Sequence, residues 1–173
     1  MNLDLLRDDC SRCAALCCIA LAFDKSNAFA FDKPAGEPCR HLNKSLGCKI
    51  HADLTQSGFL GCTMFTCHGA GQRVIQDCFN GRSWRTDPHL LPRIMKAFKT
   101  ARDIHDLMFL LSEAQKLPIS AAQQETLKGY QVLLSPERSM TETWLEGLDT
   151  IDLKVQIHGF LRTLAPAARS LKS

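Results

Sequence analysis

Apolar residues recur at three- and four-residue steps through the second half of the chain. Leu90, Ile94, Ala97, Ala101, Ile104, Met108 and Leu111 fall on one face of a long helix. Asp87-Pro88 suits its entry, with Asp as N-cap and Pro at the first helical position. Pro118 marks its end. Ser120-Ala121-Ala122-Gln123 has the form of a capping box and opens a second helix through Leu127, Tyr130 and Leu134. Ser135-Pro136 repeats the cap-plus-proline signal ahead of Trp144, Leu145 and Leu148. A last helix from about Thr150 carries Ile151, Val155, Phe160 and Leu164 towards a polar end at Ser170–Ser173.

The first half has no such period. Leu3, Leu5 and Leu6 open a short helix that meets Asp8-Asp9, and Cys10–Phe23 reads as a turn followed by a helix. Lys25–Lys33 alternates weakly through Phe29 and Phe31, in the manner of a short strand. Pro34, Gly36 and Pro38 force a loop that delivers Cys39. Val74–Phe79 and Arg82–Arg85, separated by Asn80-Gly81, read as a β-hairpin, because Asn-Gly suits a two-residue type I′ turn. The expected fold is mainly α. A small, irregular cysteine-rich metal-binding module with a short β-hairpin occupies 1–87, and a helical region packed on it occupies 88–173.

Cysteine is what alters this picture. Eight of the nine lie between positions 10 and 67, as Cys10-x2-Cys13-x3-Cys17-Cys18, Cys39, Cys48 and Cys62-x4-Cys67. Thiols at this density call for disulfides or soft metal ions. The N-terminal residues carry Asp4, Asp8 and Asp9 where a secretory signal needs basic residues, and the apolar run Ala14–Phe23 is only ten residues long. That run is too short to span a bilayer. The expectation is a reduced, cytoplasmic, metal-bound set of thiolates, and the odd cysteine count agrees with it. A net charge of +3, with 10 basic against 9 acidic residues in 1–87 and 11 against 9 in 88–173, offers no basic face for nucleic acid.

Two residues between Cys10 and Cys13 let both sulfurs face one ion from a tight turn. Cys17 and Cys18 are adjacent, so both on one tetrahedral ion would close a strained ring, and they are read as serving different metals. Cys10, Cys13, Cys17, Cys18, Cys39, Cys48, Cys62 and Cys67 divide most simply into two four-thiolate sites holding zinc or iron, the latter also as an iron–sulfur cluster. Each such site carries about −2. His51 and His68 are weaker candidates to replace a thiolate. Cys78 stands apart, as a packed small apolar residue on the hairpin.

Cys10-x2-Cys13-x3-Cys17-Cys18, Pro38-Cys39-Arg40-His41-Leu42, Cys48-Lys49-Ile50-His51 and Gly61-Cys62-Thr63-Met64-Phe65-Thr66-Cys67 together resemble the zinc- or iron-chelating cysteine-cluster family of YkgJ type. The likeness is greatest to the cysteine-rich segment ahead of pentapeptide repeats in some bacterial proteins, which also carries a Gly-Ala-Gly-Gln like Gly69–Gln72. It covers about residues 8–115. What it implies is metal or iron–sulfur binding in a bacterial cytoplasmic protein. The family also resembles flagellin lysine-N-methylase, which would imply cluster-dependent methyl transfer. A third reading is a structural zinc module whose helical half binds a protein partner. No nucleophile elbow, P-loop or His-Glu-x-x-His is present, so a metal-binding role in carriage or in redox or metal sensing is expected ahead of an enzyme.

Overall fold

The computed structural model describes residues 3–136 and 138–170. Its helices are α1 (Leu16–Ala20), α2 (Leu60–Met64), α3 (Ala70–Arg73), α4 (Leu91–Ala114), α5 (Ala121–Leu133), α6 (Glu142–Glu146), α7 (Thr150–Thr163) and α8 (Ala165–Ser170). The expected short N-terminal helix is a 3-10 turn over Leu3–Leu6. Among the described residues no helix is long and apolar enough to cross a membrane. Of the polar end read at 170–173, only Ser170 lies within the described residues.

The 24-residue α4 organises the molecule. Every member of its expected apolar face is buried, with Ile94, Ala101 and Leu111 at 0% exposure. The same core receives Leu16 and Ile19 from α1 and Ala70 from α3. It also takes Val74, Ile75 and Phe79, then Leu127, Leu145 and Ile157 of the later helices. Burying an aliphatic or aromatic side chain of this kind contributes about 1.5–3 kcal/mol. Both expected parts of the chain thus share one core. From Ile19 to Ala70 no fully buried residue joins it, although Leu21, Leu42, Leu46, Phe65 and Cys67 pack against its edge.

The expected β-hairpin is absent, and no strand occurs among the described residues. Isolated antiparallel bridges join Phe23 to Lys33, Ser26 to Phe29 and Leu42 to Cys48, so Lys25–Lys33 is a pinched loop and not a strand. Val74–Cys78 continues α3 as a π-helical turn. Asn80 and Gly81 do take positive φ, 52° and 78°. They use it to close a helix, with Gly81 N–H donating to Ile75 O at 2.8 Å, six residues back. The residues that favour a type I′ turn also favour a left-handed helix end, and here burial of Val74, Ile75 and Phe79 against α4 selects the helix.

The capping box at Ser120 and Gln123 forms as expected. Among the described residues no helix starts at Ser135-Pro136. The next one begins at Glu142, where Thr141 Oγ1 accepts Trp144 N–H at 3.1 Å. In the last helical stretch the expected face holds at its C-terminal end, where Leu164 is buried and Phe160 packs against the core. Ile151 and Val155 of α7, however, are 78% and 65% exposed, and Leu153, Ile157 and Leu161 face the core in their place.

Candidate metal centre

The thiols are placed by backbone hydrogen bonds between distant loops more than by regular elements. Asp9 caps the 3-10 turn Cys10–Arg12. Ala14 and Ala15 then adopt left-handed φ of 50° and 56°, uncommon for a residue with a Cβ, to complete the knuckle. Trp84 Nε1 holds it by donating to Ala14 O at 2.8 Å. The N–H groups of Ala15 and Leu16 point at Cys13 Sγ, and α1 carries Cys17 and Cys18 with their sulfurs 3.9 Å apart.

Cys39 N–H donates to Cys18 O at 2.9 Å, and the Leu42–Cys48 bridge turns the chain back, so Cys39 and Cys48 arrive beside α1. Gly61 N–H donates to Ala28 O at 3.0 Å and brings in α2, which carries Cys62. Cys17, Cys18, Cys39, Cys48 and Cys62 thereby line one open cavity of about 290 Å³. Its walls are otherwise mostly apolar. Phe59, only 2% exposed, anchors an aromatic group with Phe23, Phe29, Phe31 and His41 at centroid distances of 5.0–6.4 Å. Arg102 of α4 reaches the rim.

Cys10, Cys13 and Cys67 stand in a second group. Gly71 separates two of them: a Cβ there would lie 3.0 Å from Cys13 Cβ and 3.6 Å from Cys67 Sγ. Cys67 Sγ receives the N–H groups of Gly69 and Gly71 and donates to Asp8 Oδ1 at 3.3 Å. Five of the eight sulfurs thus line the cavity, and three stand outside it. Among the described residues no three His, Cys, Asp or Glu side chains stand close enough together to hold a metal ion as they are placed. Cys18 links the groups electrostatically, since its charge raises Cys10, Cys13, Cys48 and Cys62.

Burial is the main cause that raises Cys10, Cys13, Cys48, Cys62 and Cys67. It pushes Cys62 up to about 11 and Cys67 up to about 12, the latter with help from Asp8. Cys18 is the exception. The Cys17 thiol donates to it and outweighs its burial, so Cys17 is raised and Cys18 lowered. The Lys33 ammonium favours the Cys18 thiolate further. Lys33 is 4% exposed, and its Nζ donates to Pro34 O at 3.0 Å and Glu37 O at 2.9 Å. Burial lowers its pKa, while Cys39, Cys18 and Cys17 pull it back up. For Asp8, burial opposes ionisation, but hydrogen bonds led by Gly69 N–H and Thr66 more than offset it.

The other candidates lie elsewhere. His51 is exposed on a 3-10 turn, and His68 stacks on Phe109 at 4.2 Å with Nε2 4.0 Å from Asp106. Cys78 is half-buried on the π turn and donates to Met140 O at 3.6 Å. Asp8 and Lys33 are the residues that sequence reasoning missed. The former reads there as half of an acidic pair, and the latter as an ordinary loop lysine.

No family model matches the chain, and no solved structure matches it. A protein of Bacillus subtilis (strain 168), named uncharacterized protein YybG, is 39% identical over 142 residues, which is 79% of this chain and 51% of that protein. The chain thus spans about half the length of the relative it matches.

Proposed function

We propose that this is a cytoplasmic metal-binding protein of the YkgJ type, whose thiol-lined cavity holds zinc or iron. The observation that carries the reading is the meeting of five cysteines from four separate segments on one cavity, with a buried ammonium beside three of them. Nine free thiols, none in a disulfide, accord with a reducing compartment. Thiolates are soft ligands suited to zinc and iron–sulfur centres, and an N–H aimed at sulfur, as Ile50 offers Cys48, favours the thiolate that ligation needs. The side chains are not preset at ligand distance, so Cys39, Cys48, Cys62 and one of the adjacent Cys17 and Cys18 would draw together on binding.

Five cysteines on one cavity can supply the four thiolates of a zinc ion and equally those of an iron–sulfur centre. Such a centre supplies one-electron redox chemistry. Lys33 would offset the negative charge of its thiolates, and the phenylalanine wall would limit water. Redox or metal sensing is the role that these features fit best.

Protein purified under anaerobic conditions and assayed for metals and acid-labile sulfide tests this. Iron with sulfide, together with broad visible absorption that is lost in Cys39→Ser, is the expected result. Stoichiometric zinc without colour would retain the metal site and discard the cluster. Absence of both metals after anaerobic reconstitution would overturn the proposal.

A further inference from the structure

Asp8 stands against Cys67 in a way that the five-thiol cavity does not explain. Thr66 Oγ1 donates to Asp8 Oδ2 at 2.8 Å, and Gly69 N–H donates to Oδ1 at 2.7 Å. Cys67 Sγ adds a third donor at 3.3 Å. This is the environment of an ionised carboxylate, with a thiol proton at the place where a cation would be attracted to both groups.

The surrounding chain brings the other sulfurs to the same side. Gln72 ties down the segment carrying Asp8 and Cys10, since its Oε1 accepts Asp9 N–H at 3.2 Å and its Nε2 donates to Arg7 O at 2.7 Å. Gly69 turns at φ 79°, where a Cβ would run into Leu5 O. Gly71 has no Cβ to keep Cys13 from Cys67. The Gly-Ala-Gly-Gln run is therefore a cradle: one glycine makes the turn, the other admits two thiols, and the glutamine anchors the acidic segment.

We infer that Asp8, Cys10, Cys13 and Cys67, which are not preset at ligand distance, draw together on binding as a second metal site, separate from the cavity, in which Asp8 is the oxygen donor. The inference rests on the proposed metal-binding role and assigns the donors left over by the five-to-three division. Three thiolates and a carboxylate suit a borderline divalent ion such as zinc better than an all-sulfur cluster. On binding, the thiol protons of Cys10, Cys13 and Cys67 pass to solvent and the ion takes their place. Four backbone N–H groups, from Ala15, Leu16, Gly69 and Gly71, already point at the Cys13 and Cys67 sulfurs and would spread the remaining negative charge.

Titration of metal-free, reduced full-length protein with cobalt(II), followed by sulfur-to-cobalt and d–d absorption, tests the assignment. Wild type should bind one equivalent that survives Cys62→Ser, a change confined to the cavity. Asp8→Ala should lose that equivalent. Asp8→Cys should retain it and raise its sulfur-to-cobalt absorption by about one third, as three thiolates become four. Gly71→Ala, which lengthens no side chain into solvent and suits a helix, should weaken the same equivalent by crowding Cys13. Should Asp8→Ala fail to fold, the cysteine and alanine variants at 8 and 71 decide the matter between them. If Asp8→Cys gives no added sulfur absorption and Gly71→Ala titrates like wild type, Asp8 is only a turn-holding residue and the inference falls. A wild-type protein that binds this equivalent and no other, with Cys62→Ser titrating identically, would overturn the proposed cavity centre instead, and cobalt binding nowhere would overturn both.

Discussion

Residues 21–66 and helix α4 sit in the same protein but are held by different forces. Helix α4 buries eleven of its residues and forms part of a continuous apolar core. The 21–66 segment contains one short α-helix, and its fully buried residues are Phe59 and Lys33. Its shape rests on loop hydrogen bonds, an aromatic cluster around Phe59, and a lysine whose charge faces thiols. Apolar burial can fold the first kind of region alone. The second is short of such burial, and the metal ligation proposed for it would supply the added energy.

The largest predicted effect would break the first side of this contrast. Phe98→Ala, at a site 2% exposed in the middle of α4, should cost about 3–5 kcal/mol and unfold all parts together in denaturant. A selective loss of the thiol loops would show that the core is not shared.

Next comes His105, buried on α4 with its Nδ1–H donating to His68 O at 2.5 Å. Burial is the main reason its pKa falls to about 4, and Arg73 and His68 push the same way. The unfolded chain therefore binds the extra proton between about 6.5 and 4, so stability is full above that window and falls as pH drops through it. Roughly 3 kcal/mol should be lost by pH 4. Urea titrations across pH should show this slope, and His105→Asn, which keeps a donor, should flatten it.

Lys33→Met sharpens the other side. It leaves the Pro34 and Glu37 carbonyls without their charged donor, a loss of about 1.5–3 kcal/mol for such a bond. Metal affinity should fall while α4 amides keep their exchange protection. The smallest effect should come from Ser120→Ala, about 1 kcal/mol from the cap of α5, with metal content unchanged. A change in metal content there would couple regions that share no ligand.

The same contrast explains what could be read from the sequence. The buried face of α4 and the box at Ser120 are local and periodic, and both were legible. Asn80-Gly81 was legible as a positive-φ pair but not as a helix end, because only the packing of Ile75 and Phe79 distinguishes the two uses. The face of α7 was legible only at its C-terminal end, with Phe160 and Leu164: Ile151 and Val155 have a sound helical spacing of their own, but there the core lies on the side of Leu153 and Ile157. The cysteines themselves were plain in the sequence. Their division was not, since it depends on bonds such as Cys39 N to Cys18 O and Gly61 N to Ala28 O. Asp8 meets Cys67 across 59 residues of chain, and no local pattern announces such a contact.

Hydrogen exchange of the metal-loaded protein, before and after removal of metal under reducing conditions, tests the account most directly. The prediction is that amides of 21–66 lose protection on removal while those of α4 and α5 keep theirs. Loss in all of them together, or protection of 21–66 unchanged without metal, would contradict it.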